Sequence, residues 1–109
     1  MTSRTGCIRA LNDQLRATGC GGAVVVTRGI AALSARIRAA IIAAVRRFDD
    51  FSVANDPYGE HDFGLIEAAG QRVLFKIDYY DLAFCGHSAD PADPFVTRRV
   101  LTIMLAGEY

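Results

Sequence analysis

The densest run of chemically capable residues is Asn55-Asp56-Pro57-Tyr58-Gly59-Glu60-His61-Asp62. Its three acids and one histidine are the side-chain types that hold a divalent cation or act as a general base. Along a strand, alternate side chains point to opposite faces, so Glu60 and Asp62 would share one face and His61 the other. A better-defined pair follows. Glu60–Ala68 and Arg72–Tyr80 read as two strands joined at Ala69-Gly70, a two-residue hairpin turn. That register sets Glu67 opposite Arg72, Leu65 opposite Leu74, Phe63 opposite Lys76, Gly64 opposite Phe75 and His61 opposite Asp78. Tyr80 lies two residues beyond on the same face. A carboxylate beside an imidazole raises its basicity and fixes its tautomer. His61, Asp78 and Tyr80 are therefore the candidate catalytic residues. The same residues also suit a structural cross-strand pair, with the loop aspartates capping turns.

A second cluster, His87-Ser88-Ala89-Asp90-Pro91-Ala92-Asp93, repeats His, Asp and Asp at three-residue steps. Two Asp-Pro turns explain it more simply than metal ligation, and the sequence assigns no metal and no cofactor. Cys7, Cys20 and Cys85 are odd in number and lack C-x-x-C spacing, against a disulfide framework or a zinc finger. Gly19, Gly21 and Gly22 precede an apolar run, whereas phosphate-binding glycine loops follow a strand.

Other elements must position these residues. Residues 5–18 read as a helix, with Ile8, Leu11 and Leu15 at helical spacing and Thr18-Gly19 as its stop. Ala23 to Thr27, with Val24-Val25-Val26, reads as a short strand. Ile30, Leu33, Ile37, Ile41, Val45 and Phe48 step by three or four residues, predicting one long second helix. Arg36, Arg38, Arg46 and Arg47 lie off that stripe and are the candidate nucleic-acid contacts. The hairpin would turn Ile66, Val73, Phe75, Ile77 and Tyr79 toward this helix. Asp93-Pro94 resembles an N-cap and first helical residue, so residues 94–106 are read as a terminal helix, although Val100, Thr102 and Ile103 also suit a strand. The fold class is α+β: a small antiparallel sheet of about three strands, including the hairpin, with two to three helices on one face.

The chain has 109 residues, the size of one domain, read here as residues 1–109. Its apolar share of 51 % excludes wholesale disorder. The longest apolar run, Ala39–Val45, is far below the roughly 20 residues of a bilayer span, and no secretion signal is expected from the opening residues, which lack a basic stretch followed by an apolar one. A cytoplasmic location without membrane association is expected. The net charge is zero but unevenly spread. Residues 1–48 hold eight arginines and one acid, Asp13, whereas residues 49–97 hold ten acids against Arg72 and Lys76. Such a bipolar chain either neutralises itself on folding or presents charged faces to partners.

These residues carry a resemblance. Asn55–Gly64, Phe75-Lys76-Ile77-Asp78-Tyr79-Tyr80-Asp81, Asp90–Asp93, and Arg99–Ala106 with Glu108-Tyr109 resemble the bacterial domain-of-unknown-function family numbered 3768. Ile8–Asp13 and Thr27-Arg28-Gly29-Ile30 resemble it too. The resemblance implies an accessory protein of proteobacterial plasmids and other mobile elements, and brings no activity with it.

Three functions follow as expectations. The first is a small non-enzymatic interaction protein of a mobile element, for example an anti-CRISPR type inhibitor of a host defence system. It would bind a bacterial protein or protein–nucleic-acid complex through Asp56, Tyr58, Glu60, Asp62, Asp90 and Asp93, whose acids imitate nucleic acid. The second is a small metal-dependent hydrolase or nuclease using His61 and Asp78, with Asp56, Glu60 or Asp62 holding the metal. The third is a DNA-binding regulator using Arg36, Arg38, Arg46 and Arg47. Homodimerisation through a sheet edge or helix face suits the small sheet.

Overall fold

The computed structural model describes residues 3–109. The first helix, α1 (Arg4–Thr18), begins where Ser3 accepts a hydrogen bond from the Gly6 N–H at 2.9 Å. It ends at Gly19, whose φ of +77° is the left-handed cap that glycine adopts without strain. The valine run then forms β1 (Ala23–Val26).

The apolar stripe expected to make one helix from residue 30 to 48 is divided. A single turn, α2 (Arg28–Ala31), is followed by α3 (Ala35–Arg46). Ser34 is extended and accepts from the Ile37 N–H at 3.2 Å, an N-cap that restarts the helix. Arg38 donates back to the Ala31 and Leu33 carbonyls at 3.1 and 2.6 Å, satisfying groups freed by the break. The division lets Ile30 and Ile41 both be fully buried.

The hairpin of β2 (Phe63–Ala68) and β3 (Gln71–Tyr80) has the expected register, including Gly64 with Phe75 and Glu67 with Arg72. A Cβ on Gly64 would overlap the Phe75 ring and stand 2.7 Å from Phe48. Residues 94–106 are not a helix. Arg98–Leu105 is a strand, β4, and Asp93-Pro94 forms a turn in which the Asp93 side chain accepts from the Phe95 N–H at 2.9 Å. The β-branched residues of this segment, with Arg99, Leu101 and Ile103 buried in alternation, fit a central strand.

The sheet therefore has four strands, in the order β1-β4-β3-β2, rather than about three. It is mixed rather than antiparallel, because β1 runs parallel to β4. One face carries Val73, Phe75, Ile77, Tyr79, Leu101 and Ile103, packed with Ile8, Leu15, Ile30, Ile41 and Val45 from the helices. Burying each such side chain contributes on the order of 1.5–3 kcal/mol. A 3-10 turn, Ala106–Glu108, follows β4. The Glu108 carboxylate accepts from Thr27 Oγ1, the Gly29 N–H and the Leu105 N–H at 2.6, 3.0 and 2.8 Å, tying the last strand to the start of α2.

Candidate functional site

The Asn55–Asp62 segment is built on turns. Asn55 accepts from the Ser52 N–H and donates to the Asp50 carbonyl, closing the loop after α3. Asp56 is buried and accepts from the His61 N–H at 3.2 Å, bending the chain so that His61 sits at φ +57°. That bend ends β2 at Phe63, before His61 could join the ladder.

His61 consequently does not meet Asp78. Its ring stacks on Phe51, centroid to centroid at 3.8 Å and nearly parallel. Its Nδ1 stands 2.8 Å from Asp13 Oδ1, and its Nε2 stands 3.5 Å from Asp56 Oδ2. Arg16 donates to the same Asp13 oxygen at 2.8 Å and places its guanidinium 5.1 Å from the Phe51 centroid. Asp78 instead takes a hydrogen bond from Lys76 Nζ at 2.6 Å. Tyr80 packs against Phe84 with centroids 5.7 Å apart. The expected catalytic trio of His61, Asp78 and Tyr80 is thus divided between two places.

Beneath His61 lies a second polar cluster, almost wholly buried. Asn12 and Arg99 are 0 % and 2 % exposed. Arg99 Nε donates to Asn12 Oδ1 at 2.6 Å, and its Nη2 donates to the Pro91 carbonyl. Asn12 Nδ2 donates to Tyr79 Oη at 2.7 Å and to the Glu60 carbonyl at 3.0 Å. Tyr79 donates onward to Glu60 Oε1 at 2.8 Å, and its ring lies 5.0 Å from the Arg99 guanidinium. Burial pushes the Tyr79 hydroxyl far above its ordinary range, helped by its bond to Glu60. Burial lowers Arg99 in turn. Such a network holds α1, β3, β4 and the 56–62 loop in one arrangement.

Sequence reasoning missed Asn12, Asp13, Arg16 and Arg99 as members of this region. One signal was present: Asn12 falls on the apolar stripe of α1 between Ile8 and Leu15, where a polar side chain needs buried partners.

The remaining candidates are dispersed. Tyr58 is 78 % exposed. Asp62 is half-buried, and its carboxyl is raised by burial and by Glu60, Asp56 and Asp78 nearby. Asp90 pairs with Arg4 at 3.2 Å and accepts from the Ala92 N–H, while Asp93 closes its own turn. Arg36, Arg46 and Arg47 are exposed, whereas Arg38 is engaged with the Ala31 and Leu33 carbonyls. Asp62, Asp78, Tyr80, Cys85 and His87 line a cavity of about 460 Å³. His87 Nδ1 faces the Ser88 carbonyl at 2.8 Å. A carbonyl only accepts, so that nitrogen carries the proton. Among the described residues, no three His, Cys, Asp or Glu side chains stand where one metal ion would meet them. No described helix is long and apolar enough to cross a membrane.

Fold and site together define a small α+β protein with a mixed open sheet, helices on one face and a buried Arg–Asn–Tyr–Glu network. Residues 26–108 match the model of the family described as Protein of unknown function (DUF3768), and the chain belongs to that family. The Ile8–Asp13 part of the resemblance lies outside the matched region. No curated protein and no solved structure matches the chain.

Proposed function

We propose that the protein is a non-enzymatic interaction protein of a bacterial mobile element. Its partner is a protein or protein–nucleic-acid complex of the host, and inhibition of a defence system of the anti-CRISPR kind is the concrete form. The observation that carries this reading is the exposure of large apolar side chains on the two acidic connections. Tyr58 is 78 % exposed on the 49–62 loop, and Phe84 and Phe95 are 58 % and 86 % exposed on the 81–97 loop. Aromatic side chains standing out among carboxylates are the anchors of protein interfaces. The same loops carry Asp49, Asp50, Asp81, Asp90 and Asp93, so their field favours a basic surface that otherwise receives nucleic acid. Against catalysis stands the internal use of the polar motif: Asp56, Glu60 and His61 bond to the protein's own groups.

The experiment is co-purification of the tagged protein from bacterial hosts carrying active defence systems. The identified partner is then reconstituted from pure components. A Tyr58→Ala/Phe95→Ala variant is run beside the native protein. A stoichiometric complex that weakens with salt, competes with nucleic acid and is lost in the variant is the expected result. Absence of any complex, or hydrolysis of nucleic acid that depends on His61, overturns the reading.

A further inference from the structure

β1 is an edge strand with β4 on its inner side. In a parallel pair, alternate residues turn both backbone groups toward the neighbour. Thr27 donates its N–H to the Ile103 carbonyl at 3.0 Å, which places Ala23, Val25 and Thr27 in the inward-bonding set. The N–H and C=O groups of Val24 and Val26 therefore face outward. Among the described residues no backbone group bonds them.

The side chains do not close this edge. Ala23–Val26 contains no charge and no proline, two of the devices that blunt an edge. Val24, Val25 and Val26 are 41 %, 43 % and 36 % exposed.

Three arginines bracket the strand. Arg46 shares a crevice with Val24. Arg98, together with Gly21, Gly22 and Ala23, lines a cavity of about 530 Å³ at the N-terminal end. Arg28 follows the strand two residues past its end. None of the three forms an ion pair among the described residues. Gly22 keeps the backbone bare at the cavity, because a Cβ there would overlap the Arg99 carbonyl oxygen. The carboxylate at the far end, Glu108, is already bonded to Thr27, Gly29 and Leu105.

We propose that β1 is a docking edge for an extended acidic segment of a partner protein. The segment adds as a fifth strand, bonds the backbone of Val24 and Val26, and sets its carboxylates against Arg28, Arg46 and Arg98. Strand addition takes affinity from main-chain bonds and specificity from the flanking groups. Charge decides against a second copy of this edge, since β1 against β1 would bring two sets of unpaired arginines together. Phe84, Pro94 and Thr97 of the 81–97 loop line the same cavity as Arg98, but the bonding edge is the Val24 and Val26 backbone, so strand addition stands whether or not the acidic loops bind.

The test uses the whole protein and a blocked peptide of alternating threonine and valine with glutamates at both ends. Backbone amide exchange is followed by NMR. In the free protein the Val25 amide is expected to be protected, and the Val24 and Val26 amides to exchange freely. Saturating peptide slows Val24 and Val26 by about tenfold or more. Val24→Pro removes an outward N–H and leaves the β4 ladder intact, so the variant keeps its protected Val25 amide and loses about tenfold in peptide affinity. Arg46→Glu with Arg98→Glu has a similar effect, and Tyr58→Ala has none. The proposal is overturned if the peptide leaves both amides fast, or if a lysine-flanked peptide binds equally. It is also overturned if Val24 and Val26 are already protected in a free protein that sediments as a dimer.

Discussion

Asn12 and Arg99 stand 87 positions apart in the chain, and their side chains meet at 2.6 Å inside the protein. Among the described residues the guanidinium bonds no carboxylate; hydrogen bonds link it to Glu60 through Asn12 and Tyr79. Asn12 satisfies Arg99 with its oxygen and Tyr79 and Glu60 with its nitrogen, so no apolar residue replaces it.

Asn12→Ala leaves a buried charge short of an acceptor. Loss of about 3 kcal/mol of stability is expected, because an unsatisfied buried charged donor costs more than the bond it made. Urea unfolding followed by circular dichroism checks it, and a loss below about 1 kcal/mol would mean that water replaces the amide.

Gly64 is the place where the hairpin admits the Phe75 ring. Gly64→Ala should destabilise by about 1–3 kcal/mol through overpacking. In Phe75→Leu the same alanine should cost much less. A double-mutant cycle on thermal unfolding reads the coupling, and additive effects would exclude the packing explanation.

This pairing was legible from residue types alone. A charge pair at Glu67 and Arg72 and a glycine facing an aromatic fixed the hairpin, and helical spacing with Gly19 as stop gave α1. The terminal segment was not legible in the same way. Asp93-Pro94 is a good helix start in isolation, and β4 becomes a strand only because β1 and β3 bond it on both sides. The partner of His61 was hidden for a similar reason. Extending the hairpin register points to Asp78, but a backbone bend at φ +57° carries the ring to Asp13, 48 residues away. The break at Ala32–Ser34 did carry a signal, since Ser34 is a good N-cap within the apolar stripe.

His61 and Asp13 join the 49–62 loop to α1. His61→Ala and Asp13→Ala should each open this loop to protease without unfolding the sheet. Their combined effect should be less than additive by about 1 kcal/mol. Limited proteolysis with cleavage sites mapped by mass spectrometry provides the measurement. Cleavage elsewhere would show that the pair supports the whole fold rather than one loop.

Asp62 gives a pH dependence with a definite sign. Its carboxyl is raised above the ordinary value of 3.8, first by burial and then by neighbouring carboxylates. The folded value lies above the unfolded one, so ionisation of Asp62 opposes folding. That penalty is absent at low pH, appears as pH rises through the interval between the two values, and is complete above the folded one. Asp62→Asn should therefore raise Tm at pH 7, by the equivalent of less than about 1 kcal/mol because half of the group meets solvent. The gain should vanish near about pH 3, where the native aspartate is also neutral. A Tm series across pH would reject this if the difference were constant or grew toward acid.

The strand order carries a consequence for biosynthesis. β4 is the last strand in the sequence and lies between β1 and β3 in the sheet. A nascent chain that has not yet extruded Arg98–Leu105 lacks the strand that joins its valine strand to its hairpin, leaving apolar faces bare to solvent. The sheet closes only after that segment clears the ribosome, so the whole chain must be guarded until then. A message cut short before Arg98 encodes a chain without the strand between β1 and β3, so the four-stranded sheet cannot form.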